Sequence, residues 1–266
     1  FWLKFESCTM RLALLGQKDA MCRALAEVAH RRRVHNVEVV VIAPPEEEGP
    51  YLVRDAAKRY GFDFRCVSTD TELESVLRNF RPSLLVSILY PRRVSQTVLN
   101  LCPDAINFHP SLLPMHRGSH TQFWSIFDGD RVAGVTCHRM LLKFDAGATI
   151  HQVERPVADD ETALSLNKKL AGAMEECFAF VLGLSLTAGL PTGEPQPAHD
   201  FPYHPRRFPN QGFIDPAWQE CKIERFIRAM YMPPYTGAQC RLADGTVVQI
   251  LTLQQYDDVR KMVVLD

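Results

Sequence analysis

The chain has 266 residues, of which 46% are hydrophobic and 23% charged. These values exclude wholesale disorder and leave enough apolar surface for one main domain with a small appendage. No apolar run reaches the roughly 18 residues that a bilayer span needs, and 30 Lys and Arg against 31 Asp and Glu give a net charge of -1, which argues against bulk nucleic acid as the partner.

The opening residues 1–9 precede Met10 and read as an extension, natural or left by expression, too short and too charged for a signal peptide. Residues 10–16 form a short apolar run stopped by Gly16, a buried first strand. A helix is predicted over 18–33. Residues 37–43 are β-branched and almost wholly apolar, as in a strand covered on both faces, and Pro44-Pro45 ends it. Helix 55–60 stops at Gly61, strand 62–67 follows, then helix 72–80 and strands 83–90 and 105–109. Strands alternating with helices over about 100 residues predict right-handed βαβ units and an α/β, doubly wound, mostly parallel sheet. Ligands of such sheets bind beyond the carboxyl ends of the strands.

Downstream, a helix is predicted over 120–127, a strand over 134–140 and a long amphipathic helix over 162–189. The Pro-rich stretch 191–209 reads as a linker. A helix over 219–231 and a hairpin over 239–253, turning at Asp244-Gly245, make a small C-terminal subdomain. The expected domains are therefore 10–206, catalytic, and 207–266. Eight cysteines contain no C-x-x-C pair and read as buried free thiols in a reducing, cytoplasmic compartment.

Two stretches carry chemistry. In Ile106-Asn107-Phe108-His109-Pro110, Asn107 and His109 are two apart on a strand and project from one face. Pro110 has no N–H to donate and ends the strand there. An amide and an imidazole at a strand end suit oxyanion stabilisation and proton transfer, although the same residues also serve loop backbones. Farther on, Asp145-Ala146-Gly147 closes a loop after the strand 134–140. A lone D-x-G is usually only a turn, and it acquires meaning if Asp145 faces His109 and orients the ring.

Together the stretches resemble the folate-dependent formyltransferase family. Its pattern appears here as Asn107-Phe108-His109-Pro110-Ser111-Leu112-Leu113-Pro114, Arg117-Gly118 and Asp145-Ala146-Gly147, with coverage from about residue 10 to 250. His116 departs from the Tyr that the family often has. The resemblance implies a Rossmann-like fold and N10-formyltetrahydrofolate as co-substrate, with Asn107, His109 and Asp145 as the catalytic residues. It places the folate between the loops carrying Tyr90, Arg92 and Val94 and carrying Met140, Leu141 and Leu142. Plain packing remains open for Val94, Leu141 and Leu142, and a solvated role for Arg92. No metal is implied. The nine histidines show no clean ligand spacing, and His116 with His120 at i, i+4 is the only hint.

Among acceptors, the tail of the chain most resembles nucleotide-sugar N-formyltransferases, those acting on 4-amino-4,6-dideoxy sugars such as GDP-perosamine in lipopolysaccharide O-antigen synthesis. His116, Arg117 and Trp124 are then the candidates to face nucleotide or sugar. Other acceptors in the class are methionyl-tRNA and hydroxyornithine. A formyltetrahydrofolate hydrolase and a non-catalytic binding relative are readings of a different kind. The expected partner is a small-molecule nucleotide sugar, with no bulk nucleic acid and, for want of a long apolar run, no membrane; a homodimer stays open.

Overall fold

The structure, a computed structural model, describes residues 9–45, 50–197 and 201–263. The opening eight residues and the acidic run Glu46-Glu47-Glu48 lie outside the described residues. In chain order the first half comprises β1 (Met10–Gly16), α1 (Lys18–Arg31), β2 (Val37–Ala43), α2 (Pro50–Tyr60), β3 (Asp63–Cys66), α3 (Asp70–Phe80), β4 (Leu84–Ile88), α4 (Gln96–Leu99) and β5 (Asp104–His109). The second comprises β6 (Arg117–Gly118), α5 (Thr121–Asp128), β7 (Val132–Arg139), β8 (Thr149–Pro156), α6 (Ala163–Thr187), β9 (Tyr203–His204), α7 (Glu220–Met230), β10 (Ala238–Arg241), β11 (Val247–Ile250) and α8 (Leu253–Val263).

Seven strands form one sheet in the order β3-β2-β1-β4-β5-β7-β8. From β3 to β5 every pairing is parallel, and β7 runs antiparallel to β5. The mixed, mostly parallel sheet expected from the strand–helix alternation is what forms. Its central strands are apolar on both faces because helices cover both: Leu12 through Leu15, Val39 through Ala43 and Leu84 through Val86 are buried. The chain leaves β1 for β2 on one side and β4 lies on the other, which makes the carboxyl ends of β1 and β4 the switch point of the sheet.

Several boundaries moved for identifiable reasons. α3 begins two residues earlier than expected because Thr69 caps it. The Thr69 hydroxyl accepts from the Glu72 N–H at 3.2 Å, while the Glu72 carboxylate accepts from the Ser68 N–H at 2.6 Å. β8 was not foreseen, since it is half-exposed and its residues do not form an apolar run. α8 was missed too; its start is marked by Thr252, which accepts from the Gln255 N–H at 3.1 Å. Cys102, Cys137, Cys177 and Cys240 are buried as expected, and burial pushes the Cys102 thiol up to about 11 and that of Cys177 to about 12. Cys66 and Cys221 are exposed, against expectation.

Among the described residues one helix, α6, is long and apolar enough by length and composition to cross a bilayer, although polar residues interrupt it and it holds no unbroken apolar run. Its buried residues Leu166, Leu170, Ala173, Cys177 and Val181 recur every three or four positions, as on a helix with one face in a protein core.

The described chain groups into two compact units, both discontinuous in sequence. One comprises residues 1–109, 135–153 and 174–198; the other comprises 110–134, 154–173 and 199–266. The segment beginning near 207 therefore packs with two earlier stretches instead of standing alone. Within this second unit, α5 and α7 meet through aromatic rings: Phe226 of α7 lies against Phe123 at 5.8 Å between centroids and against Phe127 at 5.6 Å.

Glu161, just before α6, is buried at 3% exposure and pairs with Lys169. Burial alone would raise its carboxyl, but the bonds from Lys169, Ser165 and the Ala158 N–H outweigh that and hold it below the ordinary 4.5. The unfolded chain therefore binds a proton first, and this stabilisation is lost as pH falls below about 4.5. Glu161→Gln is expected to cost about 1–3 kcal/mol at neutral pH, with Lys169 partly solvated. Thermal melts from pH 7 to 3 check this. The gap between wild type and variant should close on acidification.

Candidate active site

The local sequence builds the site from the sheet outward. In β5, Phe108 alternates with Asn107 and His109 and packs on Phe178 of α6 with ring centroids 5.5 Å apart. That contact leaves Asn107 and His109 on the opposite face. The antiparallel ladder sets Asn107 directly across from His138 of β7, and His109 across from Thr136. The Asn107 amide nitrogen lies 3.1 Å from His138 Nε2, while His138 Nδ1 lies 2.8 Å from the Arg139 carbonyl. A carbonyl can only accept, so Nδ1 carries the proton, and Nε2 of the neutral ring accepts from the amide. This arrangement fixes the Asn107 side chain and leaves its second amide hydrogen for another acceptor.

Asp145 completes the group. Its Oδ1 is 3.5 Å from His109 Nδ1 and 3.6 Å from His138 Nε2. The side chains of His109, His138 and Asp145 are 7%, 3% and 11% exposed. The Asp145 carboxylate therefore faces both imidazoles in a poorly solvated setting. The three residues expected from the sequence are thus brought together. His138, though within the strand read as significant, was not singled out. The signal was its register opposite Asn107, which only the β5–β7 pairing discloses.

The loop that delivers Asp145 is tightly closed. The Arg139 N–H donates to the Ala148 carbonyl at 2.9 Å, and a Cβ on Gly147 would overlap the Arg139 carbonyl, so only glycine fits there. Asp145 itself adopts a left-handed backbone, φ 52°. Gln196 holds this conformation from outside, its amide donating to the Asp145 carbonyl at 2.9 Å and to the Gly147 carbonyl at 2.8 Å. The Pro-rich stretch that reads as a linker therefore carries a positioning residue, which its composition conceals. Gln196→Ala is expected to lower kcat about tenfold, the loss of about 1–1.5 kcal/mol of alignment. KM should stay close to wild type, as steady-state kinetics on the purified variant will show.

The loops expected to flank folate are joined: Arg93 Nη2 donates to the Leu142 carbonyl at 3.1 Å. Leu141 and Leu142 are exposed. Tyr90 and Met140 are half-buried against the core, and Val94 is buried within it. Burial raises the Tyr90 phenol, with Arg92 acting against it. Arg92 neither extends into solvent nor reaches across the loop; it donates to the carbonyls of Val67 and Ser68.

In the second unit, His116, Arg117 and Trp124 gather around His204. Arg117 and Gly118 in β6 pair with Tyr203 and His204 in β9, and Trp124 stacks on His204 with centroids 3.9 Å apart. Trp124 Nε1 is buried and has no hydrogen-bond partner among the described residues. Burial, reinforced by His116 alongside, lowers the His204 ring to about 4. His116 and His120 do not share a helix face. Both have left-handed backbones, φ 51° and 59°, and α5 starts only after them.

An amide donor and an imidazole at the carboxyl end of a strand in a doubly wound sheet, faced by a carboxylate from a neighbouring loop, suit an enzyme that stabilises negative charge developing on a carbonyl-type oxygen. The chain belongs to the formyl transferase family, whose profile matches residues 10–182. It is 35% identical over 182 residues to the GDP-perosamine N-formyltransferase of Brucella melitensis, a match covering 67% of this chain and 68% of the relative. Among solved structures, a 4-N formyltransferase from Francisella tularensis has the same fold, with a TM-score of 0.74 and 20% identity over 91% of this chain and 96% of that one. A Helicobacter canadensis N-formyltransferase, solved with folinic acid and dTDP-3-aminofucose, gives a TM-score of 0.72 and 19% identity over 92% of this chain and 87% of that one.

Proposed function

We propose that the protein transfers a formyl group from N10-formyltetrahydrofolate to the amine of a nucleotide-linked 4-amino-4,6-dideoxy sugar. The observation that carries the chemistry is the Asn107–His138–Asp145–His109 cluster. The acceptor rests on the 35% identity to the Brucella enzyme. The exposed Leu141 and Leu142, tied by Arg93 to the loop after β4, offer an apolar surface suited to a flat ring system. The bound folate supplies the formyl carbon and a leaving nitrogen.

The residues of the chain do the rest. The neutral acceptor amine adds to the formyl carbon, and the formyl oxygen becomes an oxyanion. Asn107 donates its second amide hydrogen to that oxygen, and protonated His109 offsets its charge. Asp145 holds His109 and receives the proton shed by the amine. A proton then moves to the departing nitrogen, and the formamide product remains. On this reading the enzyme works in the cytoplasm, in the synthesis of a lipopolysaccharide O-antigen sugar.

The test is an acceptor screen with purified protein, formylated folate and amino-sugar nucleotides on GDP, UDP and dTDP. Thermal shift should identify the base, since a ligand at 100 times its Kd stabilises by about 2.7 kcal/mol. Formate released at full rate with no amine present would instead identify a hydrolase.

A further inference from the structure

We propose that His116, His204 and Asp128 bind one divalent transition-metal ion, zinc by ligand type, with Asp130 supporting His116 from behind. The four residues come from the loop before α5, the end of α5 and its following turn, and β9, all in the second unit. His116 Nδ1 lies 3.5 Å from His204 Nε2 and 3.9 Å from Asp128 Oδ2, and the three ligand atoms all lie within 4.8 Å of one another. Zinc bound tetrahedrally at about 2.0–2.2 Å sets its ligand atoms roughly 3.3–3.5 Å apart. The histidine pair already has this spacing. Asp128 Oδ2, on a half-exposed side chain, lies slightly beyond this spacing, 3.9 Å from His116 Nδ1.

His116 is oriented in the manner of a metal-binding histidine, and His204 is held by ring stacking. His116 Nε2 is 2.6 Å from Asp130 Oδ2, so Nε2 carries the proton and Nδ1 turns its lone pair toward His204 and Asp128. Trp124 stacks on the His204 ring and sets its plane. The β6–β9 pairing places Gly118 beside His204, and a Cβ on Gly118 would overlap the His204 carbonyl, so the two histidine-bearing segments are held in close register. Two imidazoles and one carboxylate suit zinc better than magnesium or calcium, which prefer all-oxygen sets. Three protein ligands leave a fourth position for water. The ion ties the three segments together. The site is illegible in the sequence because its histidines are 88 residues apart.

The test uses untagged full-length protein stripped with a chelator and then titrated with zinc alone, or with cobalt as a spectroscopic probe. One equivalent of zinc should bind per chain and raise Tm, and cobalt should give the intense visible absorption of a tetrahedral site. His116→Ala and His204→Ala should abolish both responses. Asp128→Asn, at a half-exposed position that preserves the fold, should weaken zinc binding at least tenfold. The Asp128 variant decides the matter if the histidine variants fail to fold. The proposal is overturned if neither metal binds at micromolar concentration, or if folded Asp128→Asn binds zinc as wild type does, which would place the metal on exposed thiols such as Cys66 or Cys221.

Discussion

Replacing His109 by alanine is expected to reduce turnover by about 10³-fold in protein that still folds, with Asn107→Ala falling by about 10²–10³. The two residues project from the same face of β5, away from the Phe108 contact that fastens the strand to α6. Their removal therefore leaves the apolar packing intact. Asp145→Ala should resemble His109→Ala, because the carboxylate faces both His109 and His138. The groups act on one developing charge, so the double variant His109→Ala with Asp145→Ala should be little worse than either single change. Steady-state turnover with a thermal melt on each variant checks this. Near-normal turnover by a folded His109 variant would remove the mechanism. In wild type the rate should rise with pH on the acid side, since only a neutral amine attacks.

The sheet was legible in the sequence because its strands are apolar on both faces and its helices are punctuated. Ala43-Pro44-Pro45, Tyr60-Gly61 and His109-Pro110 each end an element where the structure ends it or within one residue. The grouping of Asn107, His109 and Asp145 was legible only through the resemblance to the formyltransferase pattern, for neither N-x-H nor D-x-G decides and strand-end position merely narrows the choice. What escaped depends on contacts between segments distant in sequence. His138 matters because antiparallel pairing sets it opposite Asn107. Gln196 matters because two loop carbonyls accept from it. Nothing in the local sequence of either residue records those partners. β8 and α8 escaped for a different reason: a half-exposed strand and a polar terminal helix carry weak apolar periodicity.

The acceptor prediction has an equally large expected effect, and it is read through salt. A small amino-sugar nucleotide should be formylated with modest salt dependence, and initiator methionyl-tRNA should be inert. The net charge of -1 provides no global field to gather a polyanion. The run Arg31-Arg32-Arg33 is the densest basic cluster before residue 90, yet two of its three charges have local partners. Arg31 Nε donates to Glu27 at 2.7 Å, and Arg32 lies over the Phe62 ring at 5.6 Å. Both also sit at the end of α1, where cations complement the helix dipole. Glu46-Glu47-Glu48 follows β2, where an RNA-binding loop would carry Lys or Arg. A diphosphate needs only one or two cations and a few backbone N–H groups. Neutralising six or more phosphates would cost about 10³-fold or more in affinity between 50 and 200 mM salt, whereas a diphosphate site should lose far less. Formylation of methionyl-tRNA at low micromolar concentration with that steep dependence, alongside inert amino-sugar nucleotides, would overturn the acceptor while leaving the formyl-transfer chemistry in place.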